Sequence, residues 1–478
     1  MSRFLPAEAF HSTDSAVQLL PFRFERTTAN SYLVSNFVGD FVTLTADEFD
    51  QLVNERVSPG EGLYEKAYAS QLITRVGQKA QLQILAARFR SRLAFLRHPT
   101  SLHIFVVTLR CEHSCPYCQV SRQFDMTEAT AQRALEIAFE SPNPRIKIEF
   151  QGGEPLLNFP LIAKMVKHAK RLAPKTNKQI DFVIASNLAL LTDEILRFCK
   201  ANDILLSTSL DGPRDLHNRN RPRPGGNSYE LAVEGIKAAQ RVLGKDRVSA
   251  LMTTTKSSLD RVEQIIDEYL SLELDGIFLR PLSPYGFAVK TRQIQKYDPA
   301  QWLNFYNRGL RYILDINRAG RQFFEFYTLL LLRRMLTDEP TGYVDLRSPA
   351  GIGLGALVYN YDGGVFASDE GRMLAEMGDK SFELGHVDRD TYRSLLLSDK
   401  LINLVGSSLT QTAPECTNCV YESHCGADPV YHHATQNDPL GIKPLSGFCA
   451  RQKGVIGSIL QLLEQSPEDA AVLRRWVM

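Results

Sequence analysis

The chain has 478 residues, with 55 Lys and Arg against 54 Asp and Glu and a formal net charge of +1. This length exceeds one ordinary core and predicts two or three domains. The balanced charge gives no bulk electrostatic reason to expect nucleic acid or an anionic membrane as a partner. No uncharged apolar run reaches transmembrane length, and residues 1–10 lack the apolar core of a signal peptide, so the expected location is the cytoplasm. In that reducing compartment the eight cysteines read as metal ligands rather than disulfides. Seven fall into two clusters, and the eighth, Cys199, reads as a small buried helix residue.

In chain order, short β-like runs at 22–26, 31–35 and 40–44 precede Thr45-Ala-Asp-Glu48, a capping box that opens a helix. Further helices are expected at 63–73 and 78–96. Residues 1–97 then form a small α+β module. It reads either as a cap or as a peptide-docking domain with an open strand edge to which a substrate's leader adds a strand. From 98 to 320, strand and helix alternate six times, with strands near 102–109, 146–151, 180–186, 205–210, 248–254 and 276–282. Most are continuous apolar runs, as expected of parallel strands covered on both faces. Repeated βα units of this length predict an α/β barrel or partial barrel whose functional face lies at the carboxyl ends of the strands.

The first strand leads into Cys111-Glu-His-Ser-Cys115-Pro-Tyr-Cys118. Three thiolates on one short loop can hold three corners of a four-iron cubane and leave the fourth iron open. They can also hold zinc, with His113 or a distant Cys as the fourth ligand. The second strand leads into Gly152-Gly-Glu-Pro155, where two glycines let the backbone approach a ligand closely. The later strands end at Ser186 and Asn187, at Ser209 and Asp211, at 253–255 and at Arg280. Asn187 and Asp211 also read as turn formers, and Ser209 as a strand residue facing a helix. The loop 210–226 is long, polar and proline-stiffened, either solvated or a cover over a ligand. Past residue 320, Asp362-Gly363 between apolar runs marks a β-hairpin. Cys416-x2-Cys419-x5-Cys425 and Cys449 then supply four thiolates, enough for a cluster or a zinc site.

The cysteine loop followed by Gly-Gly-Glu-Pro resembles the radical S-adenosylmethionine (SAM) superfamily. That resemblance implies a partial (β/α)6 TIM-like barrel, and a [4Fe-4S] cluster on Cys111, Cys115 and Cys118 whose open iron is chelated by SAM. It places Gly152, Gly153 and Glu154 at the SAM amino group, and Asn187, Ser209 and Asp211 at its ribose and carboxylate. Tyr117 and Arg280 are further cofactor-binding candidates. The chemistry implied is a 5′-deoxyadenosyl radical that abstracts a substrate hydrogen.

The hairpin and the second cysteine set resemble the SPASM extension of peptide-modifying members. This implies a C-terminal iron-sulfur domain over 321–478 with one auxiliary [4Fe-4S] cluster on Cys416, Cys419, Cys425 and Cys449. The inner cluster of the full extension needs cysteines where this chain has Ser368 and Pro429, so its loss is expected. In related sulfatase-maturing enzymes an Asp after the hairpin Cys removes a proton. The corresponding residue is Asp369, the catalytic candidate, with Glu370 or Asp211 as alternates; Asp369 also reads as a cap of the following turn.

Stretches 105–111, 150–158, 217–226, 280–287 and 425–430 resemble the His-Xaa-Ser system radical SAM maturase B type. This implies an oxidoreductase-like enzyme acting at unactivated carbon of a ribosomally made precursor peptide or protein with His-Xaa-Ser repeats. A companion radical SAM maturase and an electron donor are the implied partners, with no nucleic acid and no membrane. The rival expectations are a non-catalytic iron-sulfur scaffold or redox sensor, and a sulfatase-maturase-like oxidation of a protein side chain.

Overall fold

The computed structural model describes residues 17–118, 123–337 and 346–478. The stretch 1–10, read above for the lack of a signal core, lies outside the described residues. Among those residues no helix is long and apolar enough to cross a membrane.

The N-terminal strands are β1 (Val17–Leu19), β2 (Phe22–Thr28), β3 (Ser31–Asn36), β4 (Phe41–Thr45) and β5 (Ile73–Arg75). β2, β3 and β4 form an antiparallel sheet, and β1 pairs with β5. The capping box forms: Glu48 N–H donates to the Thr45 hydroxyl, and the Glu48 carboxylate accepts from Thr45 N–H. A separate apolar core that includes Leu44, Leu52, Leu63 and Ile73 closes this sheet against its helices.

The central sheet is built from β6 (Leu102–Thr108), β7 (Arg145–Gly152), β8 (Gln179–Ala185), β9 (Ile204–Ser209) and β10 (Val248–Leu251), all parallel and adjacent in chain order. Phe105, Phe150 and Phe182 run across it from strand to strand and are buried. Cys199 is fully buried in the helix Asp193–Asn202, where burial pushes its thiol up to about 12.

The sixth expected strand is cut short. β11 (Gly276–Ile277) has two residues and pairs with β12 (Phe324–Glu325) outside the central sheet. Pro281 and Pro284 follow it, and a proline supplies no ladder donor. The sheet grows from its other edge instead. β13 (Ala356–Tyr359) lies parallel to β6, and β14 (Gly364–Phe366) and β15 (Glu383–His386) continue antiparallel, giving eight strands. The expected Asp362-Gly363 hairpin is therefore part of the barrel's own sheet. Its turn closes through Asn360 N–H to Gly364 O at 2.8 Å, with Gly363 at φ +93°, a conformation that glycine adopts without strain.

Two histidines tie acid stability to this core. His103 on β6 is fully buried with Nδ1 3.0 Å from the Tyr359 hydroxyl, and His217 is buried with Nδ1 accepting from Asp211 N–H at 3.2 Å. Burial lowers them to about 3 and about 4. An unfolded chain protonates both near pH 6.5, so between pH 6.5 and 4 it holds more protons than the folded chain. Stability therefore falls as pH falls through that window, by up to ~1.4 kcal/mol per pH unit for each histidine. The buried carboxyls of Glu154 and Asp428 are raised and act in the opposite sense over the same window, so the histidine part is read by difference: the thermal midpoint of His103→Phe should fall less from pH 7 to pH 5 than that of the parent chain, and an equal fall would contradict this.

Candidate active site

The cysteine loop leaves the end of β6 and is pinned at several points. Ser114 N–H donates to Pro222 O at 2.8 Å, Cys118 N–H to Cys115 O at 3.2 Å, and His113 N–H to Cys111 Sγ at 3.4 Å. Burial raises the Cys111 thiol, and pushes Cys115 up to about 12 against the opposing charge of Arg221. Cys118 raises both further, so the thiols feel one another's charge. A bound metal removes such a cost by taking the thiolates as ligands.

Behind the loop stand the ends of β7 and β8. Glu154 is fully buried; its Oε1 accepts from Leu156 N–H at 2.9 Å and the Ser186 hydroxyl at 2.7 Å, and its Oε2 from Asn187 N–H at 2.8 Å. Burial holds its carboxyl up at about 7 in spite of these three donors. Asn187 passes the link onward, donating from Nδ2 to Glu112 Oε1 at 2.7 Å and lying 3.0 Å from His113 Nδ1. The two glycines also let the backbone close on itself. A Cβ on Gly152 would sit 2.1 Å from Thr108 O, and one on Gly153 2.2 Å from Arg110 O. The close neighbour is thus the chain's own backbone at the root of the cysteine loop, where Gly153 and Glu154 N–H donate to Thr108 O and Arg110 O at 2.9 and 2.7 Å.

Asp211 is also an inward anchor. Its Oδ2 accepts from the Tyr117 hydroxyl at 2.8 Å and Arg221 Nε at 2.9 Å, and its Oδ1 from Arg221 Nη2 and Thr253 N–H, each at 3.0 Å. Burial raises its pKa, but the Arg221 guanidinium, followed by His217 and these donors, holds it below the usual carboxylate range. Arg221 is a site residue that sequence reasoning passed over. It lies within the 217–226 stretch, yet Arg219 and Arg223 flank it at equal spacing and no pattern separates the three.

A cavity of about 230 Å³ opens at this face, and its walls include Tyr117, Cys118, Ser209, Arg221, Arg280 and Asp369. Five of these six were expected from the sequence, whereas Glu154, Asn187 and Asp211 are not in its wall. Asp369 is the first residue of the helix Asp369–Ala375, and the cap of that helix is Ser368, whose Oγ accepts from Gly371 N–H at 3.1 Å. Asp369 is free of the capping role and accepts from Arg372 Nε at 2.8 Å. Glu370 lies 3.8 Å from Arg280 Nη2 and is raised by partial burial and by the Asp369 charge. A smaller cavity of about 90 Å³ adjoins, sharing Arg280, Tyr285 and Glu370 and reaching Asp428. Asp428 caps the helix Pro429–Gln436, and burial followed by the Glu370 charge raises its carboxyl. Sequence reasoning missed it too; Asp before Pro is an ordinary helix start.

The second cysteine set converges in the C-terminal region. Burial raises Cys425, and the charges of Cys419, Cys449 and Cys416 raise it further; burial pushes Cys416 up to about 11. Among the described residues, Cys111, Glu112 and His113 are the group whose three ligand atoms lie within 4.8 Å of one another, and neither full set of cysteines is so tight. The donor chemistry of both sets, three or four thiols in each, fits a thiolate-bound metal centre.

The loop carrying Cys416, Cys419 and Cys425 is gripped by the N-terminal sheet. Arg23 on β2 pairs with Glu422 at 3.0 Å, both side chains 2% exposed, and donates from Nε to Thr417 O at 2.7 Å. Ser35 on β3 donates to Val420 O at 2.6 Å.

Residues 105–269 match the family model described as the radical SAM superfamily. An uncharacterized protein of Methanocaldococcus jannaschii is 30% identical over 185 residues, which are 38% of this chain and 62% of that protein, so the chain spans less than two thirds of it. A cysteine-type anaerobic sulfatase-maturating enzyme of Clostridium perfringens is 22% identical over 349 residues, 68% of this chain and 88% of its own. The solved structure of native anSMEcpe with bound AdoMet and Cp18Cys peptide shares the fold, with a TM-score of 0.63 at 17% identity over 79% of this chain and 99% of that one. Over residues 105–269 the barrel is thus similar to the radical SAM superfamily, and the chain is similar over a longer stretch to the sulfatase-maturating enzymes.

Proposed function

We propose that the chain is a radical SAM maturase that modifies a ribosomally made peptide or protein at unactivated carbon. The observation that carries this is the cavity where the cysteine loop, the strand ends and the hairpin acids meet. Cys111, Cys115 and Cys118 would hold a [4Fe-4S] cluster, with Tyr117, Ser209 and Arg280 lining the space for SAM. Gly152, Gly153, Glu154, Asn187 and Asp211 would fix that arrangement from behind. Once bound and reduced, cluster and SAM together supply a 5′-deoxyadenosyl radical able to take a hydrogen atom from carbon. Cys416, Cys419, Cys425 and Cys449 would hold one auxiliary [4Fe-4S] cluster. The proposed division is a module over 1–97, a barrel over 98–320 and an auxiliary-cluster domain over 321–478, working in the cytoplasm with an electron donor and a companion maturase. The relative whose structure holds a bound peptide supports a peptide substrate, and the resemblance to His-Xaa-Ser maturases supports the repeat sequence.

The test is anaerobic incubation of reconstituted protein with SAM, a strong reductant and a His-Xaa-Ser peptide. A changed peptide mass alongside 5′-deoxyadenosine is expected. Normal iron content with no SAM cleavage, even with peptide, would leave a non-catalytic iron-sulfur scaffold.

Asp369 would act as the general base. After its hydrogen atom has gone to the deoxyadenosyl group, the substrate carbon still has to lose an electron and a proton before a new bond closes. The C-terminal thiols would hold a group able to accept an electron, and the proton would go to Asp369, whose carboxylate Arg372 orients at the cavity wall. Asp369→Asn should keep full iron and SAM cleavage while modified peptide falls by about 10²-fold or more. Full product yield would move the role to Glu370.

A further inference from the structure

A third cavity, of about 60 Å³, lies where the helix Ala80–Arg92 meets the loop carrying Cys416, Cys419 and Cys425, and it shares no lining residue with the reacting cavity. Its charged lining is Arg92, Arg334, Arg347 and Glu422. Glu422 is already committed: Oε2 pairs with Arg23 at 3.0 Å, and Oε1 accepts from the Thr410 hydroxyl and the Gln411 amide. The three arginines form no ion pair with any of the described residues. Arg92 Nη1 and Arg334 Nε both donate to Ser423 O, at 2.6 and 3.0 Å, which sets two guanidiniums side by side on one neutral oxygen. Arg334 Nη1 donates to Leu346 O, next to Arg347. Arg347 donates no hydrogen bond to a described residue; its guanidinium lies over the Phe95 ring at 4.9 Å, half-buried, with its nitrogens still accessible. Burial, followed by the Arg334 charge, lowers Arg92 to about 10 and lowers Arg347 as well. Three cations gathered in a partly desolvated space repel one another, and an anion that enters gains the attraction of all three. The wall also includes Phe37, Phe89, Leu93 and Phe95, which suits a carboxylate on an apolar stem better than a strongly hydrated phosphate dianion. The volume has room for roughly four or five water-sized groups, enough for the methylene and carboxylate of an acidic side chain and too little for a nucleotide.

We propose that this cavity binds the carboxylate of an acidic residue in the substrate peptide, with the Arg347 fork as the main donor and Arg92 and Arg334 beside it. A guanidinium with its donors unspent can take a carboxylate through two parallel hydrogen bonds. The acid anchors the peptide outside the reacting cavity, so it governs which peptides are held and is not itself modified. This rests on the reading of the chain as a peptide-modifying enzyme, and it gives that enzyme a preference for peptides with an acid beside an apolar residue.

Fluoroacetate is a small carboxylate with a methylene and its own ¹⁹F signal, so it probes the cavity directly in the full reconstituted chain, at about 0.15 M salt to screen surface charge. Its line should broaden saturably on addition of the protein. Acetyl-aspartate methylamide should reverse the broadening, and the neutral acetyl-asparagine methylamide should not. Arg347→Gln should weaken fluoroacetate binding about tenfold or more, the loss expected for hydrogen bonds to a charged group. Iron content and thermal midpoint should be retained in that variant, because Arg347 donates no hydrogen bond that holds the described fold. If the variant fails to fold, the competition series in the parent chain decides alone. No excess broadening up to about 50 mM fluoroacetate, well beyond a millimolar dissociation constant, would overturn the proposal, as would equal binding by folded Arg347→Gln. So would displacement by the asparagine derivative as readily as by the aspartate, which describes an apolar slot, or by inorganic phosphate at about a tenth of the aspartate concentration, which describes a phosphate site. The measurement needs no SAM cleavage. Carboxylate binding in a chain that never cleaves SAM sinks the catalytic reading and leaves the site; SAM cleavage without carboxylate binding sinks only the site.

Discussion

Cys115→Ala should bring 5′-deoxyadenosine formation to background and lower the iron content of the reconstituted chain by about four atoms. The loop's other possible ligands, Glu112 and His113, are already engaged. Asn187 holds Glu112 Oε1 and lies against His113 Nδ1, which itself sits 3.1 Å from that carboxylate. Two thiols remain where a cubane needs three. The C-terminal cysteines lie on other elements, so about four irons should stay behind. Iron analysis and chromatography of SAM products on the same sample separate the outcomes. SAM cleavage at the original rate would remove this loop from the catalytic centre, while a residue of one zinc and no iron would assign the C-terminal thiols to a structural ion.

Much of this site was legible because parallel strands leave a periodic trace and their carboxyl ends follow each apolar run. Reading the strand ends alone placed Cys118, Ser209 and Arg280 at what proves to be one cavity. What local pattern cannot show is the partner of a buried group. Glu154 and Asp211 look from the sequence like residues pointing at a ligand, yet both turn inward to satisfy their own neighbours. Arg221 was hidden for the same reason, since its role follows from Asp211 and not from its flanking residues. The pairing of β13 with β6 joins segments about 250 residues apart, and neither strand carries a local mark of the other. A two-residue strand such as β11 likewise has too few positions to show a period. Glu370 and Asp428 are brought to one cavity by the fold alone.

Arg23→Leu should cost the chain its auxiliary iron while leaving SAM cleavage in place. The Arg23–Glu422 pair is sealed from water between the N-terminal sheet and the cysteine loop, and the Arg23 guanidinium also stacks over Phe37 at 4.0 Å. Removing one partner of a buried pair strands the other charge, typically at a cost of about 3–5 kcal/mol. Glu422 keeps the Thr410 hydroxyl and the Gln411 amide at 2.8 Å, both on Oε1, but these are neutral donors and cannot replace the guanidinium. The loop from Cys416 to Cys425 can relieve that stranded charge by moving toward water, and its three thiols would then leave Cys449, which is held separately at the start of the helix Gly447–Gln465. The expected result is a loss of about four irons per chain and a lower thermal midpoint, with 5′-deoxyadenosine still formed. The double variant Arg23→Leu, Glu422→Leu should recover much of the iron, because an apolar pair strands no charge. Deleting residues 1–97 removes Arg23 and Ser35 at once, so weaker peptide binding by that deletion would mix docking with loss of the auxiliary site. Only a variant that keeps all its iron tests docking by itself. Unchanged iron and midpoint in Arg23→Leu would mean that the cysteine loop stands without the N-terminal sheet, and the deletion would then report on peptide binding directly.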